Sequence, residues 1–172
     1  LEDGEQLDGK FYGINIAILD FSEELLGTGI SEKIQTKNFG SERYEALDRA
    51  LEFHKNYFNE DYTYEDFCNI AALQDKISGR QEYNLQGGTG LTKLIYALQS
   101  KSDMDKCYVL SGEHCVLFQK DLLQYDEKRW LGFNAESDFF NHLPDLSVFS
   151  RCQIFFPGTA YNLNFVMRRE DD

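Results

Sequence analysis

Three groups of residues in this chain have types and spacing that could serve a ligand, and the first of them suits phosphate. The first is Gln86-Gly87-Gly88-Thr89-Gly90-Leu91-Thr92-Lys93-Leu94-Ile95, a glycine cluster running into an apolar, helix-like segment. Glycine lets the backbone adopt positive φ and approach a ligand closely. A helix start adds free N–H groups and the positive end of a dipole, which together attract phosphate. The same pattern also describes an ordinary turn capped by Thr89 or Thr92. The second group is Asp20 at the end of an alternating apolar run, followed by Ser22, Gly27 and Gly29. An ionised carboxylate only accepts hydrogen bonds, so it suits an amino donor. The third is Pro157-Gly158-Thr159, whose threonine hydroxyl can both donate and accept.

The elements that must position these groups follow from periodicity. Ile14, Ile16 and Ile18 alternate with Asn15 and Ala17, which predicts a strand over 11–20. Residues 31–35 could open a short helix. Ser41 reads as the N-cap of a clearer one, in which Tyr44, Leu47, Ala50, Leu51, His54 and Phe58 share a face. Thr63 caps a second helix over 64–77, and Leu91, Leu94, Ile95 and Leu98 predict a third over 91–98. Residues 107–110 and 114–119 read as two strands joined by a tight turn at Ser111-Gly112-Glu113, a hairpin. Residues 121–149 look irregular. Strands follow over 151–156 and 160–167, with a turn at 157–159 between them. Strands at both ends and helices between them predict an α+β fold. The form expected is a two-layer sandwich, with a mixed, mostly antiparallel sheet and helices on one face. Residues 1–10 read as a polar tail or the end of a preceding segment, and 11–172 as one domain.

Composition narrows the function classes. A chain of 172 residues can bury a real core, and fourteen Phe and ten Tyr argue against disorder. A net charge of −13 argues against a general nucleic-acid or membrane-surface binder, since phosphate backbones call for Lys and Arg. A local phosphate site built from backbone N–H groups survives that balance. No apolar run is long enough to span a bilayer, and the acidic start does not resemble a signal peptide. Four Cys without a secretory signal predict reduced thiols and a cytoplasmic setting. The first residue is not Met, so the reading expects a piece of a longer or processed protein.

The order of the three groups resembles the GHKL (Bergerat-fold) ATP-binding superfamily, which includes sensor histidine kinases, gyrase-type topoisomerases, mismatch-repair ATPases and heat-shock chaperones. The resemblance spans roughly residues 11–168. It implies ATP with Mg²⁺. Asp20 matches the carboxylate that accepts the adenine amino group. Gly87, Gly88, Thr89, Gly90 and Leu91 match the loop that wraps the triphosphate. Thr159 matches the hydroxyl that joins the Asp at adenine. Cys107-Tyr108-Val109-Leu110-Ser111-Gly112 resembles the family's strand and Ser-Gly turn, and Ser78-Gly79-Arg80 falls where such proteins keep a lid. Two departures stand out. The family's Asp-x-Gly-x-Gly reads Asp20-Phe21-Ser22 here, with Gly27 and Gly29 arriving late. The helix that supplies a metal-binding Asn and a water-activating Glu is not visible before Phe11, and Asn15 lies within the strand. The resemblance therefore implies no catalytic residue in this chain.

Other chemistries fit less well. A Walker A loop needs Gly directly before Lys-Ser/Thr, but Thr92 precedes Lys93. A Rossmann loop needs a strand directly before its glycines. Cys107, His114, Cys115 and Cys152 lack the spacing of a zinc site and read as structural thiols. Two functions remain in view. One is the nucleotide-binding part of a larger ATPase or kinase, with a further domain, a protein partner or a second copy of itself. The other is a non-catalytic regulatory module with a degenerate nucleotide site.

Overall fold

The computed structural model describes residues 11–22, 24–37, 41–79, 90–101 and 107–168, except the side chains at 11, 12, 101 and 166–168. The described elements are β1 (Phe11–Asp20), α1 (Thr28–Thr36), α2 (Glu42–His54), α3 (Tyr64–Ala72), α4 (Gly90–Lys101), β2 (Cys107–Phe118) and β3 (Phe149–Arg168). The three strands form an antiparallel sheet in the order β1-β3-β2. This is the expected α+β sandwich. Every pairing among the described strands is antiparallel, so the mixed character expected of the sheet is absent there.

Alternation explains which face of the sheet is buried. Cys107, Val109 and Ser111 on β2 share a face with Thr159, Tyr161 and Leu163 on β3, and Cys107, Val109 and Leu163 belong to the core. The opposite face carries Asn15, Asn162 and Asn164, with the Asn15 amide donating to both of the others. On β1 the apolar side pairs Ile14 with Phe165, Ile16 with Leu163 and Ile18 with Tyr161. Since β1 is an edge strand, these three isoleucines stay 40–49% exposed.

The hairpin expected at 107–119 is not formed. β2 runs unbroken from Cys107 to Phe118, and Gly112, at φ 62°, sits in a bulge. Positive φ is a turn signal in sequence, but a bulge uses it equally well. The bulge switches the buried parity from Cys107, Val109 and Ser111 to Val116 and Phe118. The two strands expected at 151–156 and 160–167 are likewise one strand, β3, of 20 residues. Ser111 pairs with Thr159 but Gly112 with Phe156, so Pro157 and Gly158 are extra residues on β3. Proline has no N–H to donate, and a bulge is where a strand does not need one.

The helix layer packs on the buried face. In α2, Tyr44, Leu47, Ala50 and His54 are buried as the helical spacing predicts. The helix expected over 64–77 ends at Ala72, and Lys76, at φ 58°, rules out its continuation to 77; between them the chain is tied by the buried side-chain amide of Gln74. Its Nε2 donates to the Leu131 carbonyl (2.9 Å) and its Oε1 accepts the Leu131 N–H (2.7 Å), so one side chain stands in for a strand partner. The irregular stretch after β2 is held in the same way. Arg43 donates to the carbonyls of Asp75, Lys128 and Arg129, and its guanidinium lies 3.9 Å from the Trp130 ring centre. Trp130 stacks on Phe139 at 5.5 Å and Phe139 on Phe67 at 5.9 Å, so aromatics from that stretch complete the core.

His54 sits fully buried in this aromatic cluster. Its Nε2–H donates to the Phe139 carbonyl and its Nδ1 accepts from Tyr62, each at 2.8 Å, which fixes a neutral tautomer. Burial lowers the His54 pKa from its ordinary 6.5, against weaker raising effects of the Phe139 carbonyl and Asp138. The unfolded chain then binds the proton more readily, so His54 withdraws stability as pH falls below about 6.5. We expect urea unfolding to show a loss of stability from pH 7 to pH 5, and His54→Gln to reduce that slope.

Candidate functional site

The pairing register brings two of the three groups together. Asp20 of β1 is the direct antiparallel partner of Thr159 on β3, and Ser111 of β2 flanks Thr159 on its other side. Direct partners project from the same face of a sheet, so a row Asp20–Thr159–Ser111 crosses all three strands on the helix side. Thr159 and Ser111 are buried, with their hydroxyls 3.3 Å apart. Ser111 Oγ also accepts the Leu26 N–H at 2.8 Å, tying the row to the segment that enters α1. Asp20 remains exposed, and its Oδ1 accepts the Ser22 N–H at 3.1 Å. Burial, with the Asp20 carboxylate nearby, pushes the Tyr161 phenol up to about 12. Asp20 therefore offers an accessible acceptor at the end of β1, beside a buried pair of hydroxyls.

Gly158 makes this row possible. Its φ is 139°, and a Cβ there would lie 1.9 Å from the Asp20 carbonyl oxygen. Gly27 and Gly29 have a different use. A Cβ on Gly27 would fall 2.7 Å from Cys68 Cβ, and one on Gly29 would fall 2.4 Å from the Gly79 carbonyl oxygen. Both let α1 pack closely, Gly27 against α3 and Gly29 against the chain beyond it. Ser22 lies in the turn after β1, bonded to Asp20 through its backbone.

Of the glycine loop, Gly87, Gly88 and Thr89 lie outside the described residues. Gly90 opens α4, and Leu91, half-buried, packs against the core. Thr92, in the first turn of the helix, donates to Asp75 at 3.2 Å. In the segment matched to a lid, the Ser78 carbonyl accepts from Lys33 and Tyr44, Gly79 touches Gly29, and Arg80 is outside the described residues.

Sequence reasoning missed a second cluster. Asp66 is fully buried in the first turn of α3. It accepts from the Thr63 N–H (2.9 Å), from His114 Nδ1 (2.9 Å) and from both terminal nitrogens of Arg151. Burial opposes its ionisation, yet hydrogen bonds from His114, Arg151 and Thr63 prevail and hold it below the ordinary carboxylate pKa. Thr63-x-x-Asp66 is readable as a capping box. The meeting with His114 and Arg151 is not, because those two become strand partners only after the bulges in β2 and β3. Beside this cluster, α1, α3, the Gly112 bulge and Phe155 enclose a cavity of about 300 Å³.

The Mg²⁺ implied by the resemblance finds no cage here. Among the described residues no group of three or more His, Cys, Asp and Glu is placed to hold a metal ion. No helix among the described residues is long and apolar enough to cross a membrane. No protein-family model matches the chain, and no curated protein or solved structure does either.

Proposed function

We propose that this chain is an ATP-binding module of the GHKL type, with adenine at Asp20 and Thr159. One observation carries the reading. Asp20 and Thr159, matched to the family's adenine pair and distant in sequence, are direct partners on adjacent strands. An exposed carboxylate there suits the adenine amino donor, and a neighbouring hydroxyl can donate to a ring nitrogen or hold a bridging water. The helix start at Gly90 and the glycines before it would receive the phosphates through backbone N–H groups, which a strongly acidic chain can still offer.

The module binds nucleotide in this reading, and no hydrolytic step is assigned to its residues. Mg²⁺ would travel with the phosphates, since the described residues form no site of their own for it. Titration calorimetry with ATP and Mg²⁺ tests the proposal. We expect saturable binding, weakened by Asp20→Asn roughly tenfold or more, because an amide presents a donor where the carboxylate presents only acceptors. Absence of heat and of any thermal shift at millimolar ATP would remove the reading.

A further inference from the structure

We propose that the cavity between α1, α3 and the bulge of β2 is a second binding site, for a small organic cation. The ligand would carry an ammonium or guanidinium head on an apolar body. The inference does not rest on the nucleotide reading: the cavity is lined by none of Asp20, Thr159 and the glycine loop, although Ser111, the neighbour of Thr159, and Gly27 lie in its wall.

The walls follow from helical spacing. Thr28, Ser31 and Glu32 stand at i, i+3 and i+4 on α1, and Glu65, Cys68 and Asn69 stand the same way on α3, so each helix turns one face to the cavity. β2 closes the third side where Gly112 bulges, bringing in Glu113 and His114. Leu25, Tyr64 and Phe155 supply apolar surface. The volume, about 300 Å³, falls at the small end of ligand sites.

Charge selects the class of ligand. Glu32, Glu65 and Glu113 are exposed at the rim, and His114, the only basic side chain among the described residues of the lining, is engaged through Nδ1 with Asp66. Three carboxylates around one opening repel phosphate and carboxylate and favour a cation. Lys33, the neighbour of Glu32 on α1, is not part of the lining; its Nζ donates to Tyr44 and the Ser78 carbonyl. Burial pushes the Cys68 thiol up to about 12, so it enters the wall as a neutral group. An aromatic rim of Tyr64 and Phe155 adds an electron-rich surface that also prefers a cation.

Asn69 points independently to a ligand. It is only 4% exposed, yet no described group hydrogen-bonds its side-chain amide. Among the described residues no side-chain polar atom sealed from solvent lacks a partner, so this amide keeps its opening onto the cavity that it lines. Gly27 leaves the room it needs: a Cβ there would stand 3.1 Å from Asn69 Oδ1. A ligand donor reaching Oδ1 would give this amide a partner that no described group supplies. The arrangement thus provides an acceptor inside, an apolar middle and three carboxylates at the mouth.

Three probes of similar size separate charge from shape: phenethylammonium, 2-phenylethanol and 3-phenylpropionate. Each is titrated into the nucleotide-free protein at low salt, with amide NMR shifts as the readout. We expect phenethylammonium to move resonances of Glu65, Asn69 and Glu113 and to bind at least about tenfold tighter than the alcohol, with no binding by the acid. The triple variant Glu32→Gln/Glu65→Gln/Glu113→Gln should erase the preference for the cation, and Asn69→Leu should weaken binding roughly fivefold. Equal binding of cation and alcohol, a preference that survives in the triple variant, or no shift at the lining residues would each overturn the proposal. The three glutamates are exposed, so the triple variant keeps the test open even if Asn69→Leu does not fold.

Discussion

Asp66→Ala is expected to lower the unfolding free energy by about 3–5 kcal/mol, the cost of removing one partner from a buried ion pair. The carboxylate is fully buried, and the guanidinium of Arg151 and the ring of His114 both depend on it. Their side chains keep 34% and 18% exposure, so water can partly solvate them once the carboxylate is gone, which favours the lower end of that range. The capping box with Thr63 is lost too, worth about 1 kcal/mol. Asp66→Asn should recover part of the loss by keeping an acceptor for Thr63 and Arg151. Because the folded pKa of Asp66 is depressed, its contribution is present above the unfolded value of about 3.8 and disappears as pH falls through the folded one. Urea titrations at neutral pH and at pH 3 check this. The gap between wild type and Asp66→Ala should be wide at neutral pH and narrower at pH 3, by at most about 1 kcal/mol, since one proton changes stability by about 1.4 kcal/mol per pH unit at most. A gap of the same width at both would show that the carboxylate is not the source of the stability.

Gly158→Ala carries the second large effect, and it joins the fold to the proposed adenine site. Two costs add at this residue. Alanine rarely adopts a φ of 139°, and its Cβ would fall 1.9 Å from the Asp20 carbonyl oxygen and 2.9 Å from the Asp20 carbonyl carbon. The obstacle is backbone, so no side-chain rotation relieves it. Backbone strain of this kind costs about 1–3 kcal/mol and overpacking a similar amount, so a total near 3–5 kcal/mol is expected. For a domain of this size that corresponds to a fall in Tm of roughly 6–20 °C. The end of β1 must move away from β3 to make room, which separates Asp20 from Thr159. Hydrogen exchange should therefore quicken at β1 amides near Asp20 while α2 and α3 keep their protection. A variant as stable as wild type would mean that the approach of the two strands is looser than described.

Much of the local structure was readable from residue pattern. Ile14, Ile16 and Ile18 mark β1, the face of Tyr44, Leu47, Ala50 and His54 marks α2, and Thr63 marks the start of α3. The errors came from residues whose local signal has two uses. Gly112 and Pro157-Gly158 look like turns because positive φ and a missing N–H serve turns and bulges alike. A partner strand running past both sites decided for the bulge. α3 stopped short of the expected 77, where Lys76 takes φ 58° and the Gln74 side chain bonds the Leu131 backbone, a partner that local pattern does not show. Gly27 and Gly29 were read for ligand contact, while the structure also gives each a place in close packing.

By itself, the sequence determined that a strand, a set of helices and further strands would make an α+β domain, and it marked Asp20 and Thr159 as residues of interest. Periodicity and capping are local, so they survive without coordinates. Only the tertiary structure decided the register that makes Asp20 and Thr159 neighbours and the parity switch at Gly112. It likewise decided the meeting of Asp66, His114 and Arg151, and the cavity walled by α1 and α3. These depend on which residue faces which across strands far apart in the chain, and a one-residue change in a bulge redirects every side chain beyond it.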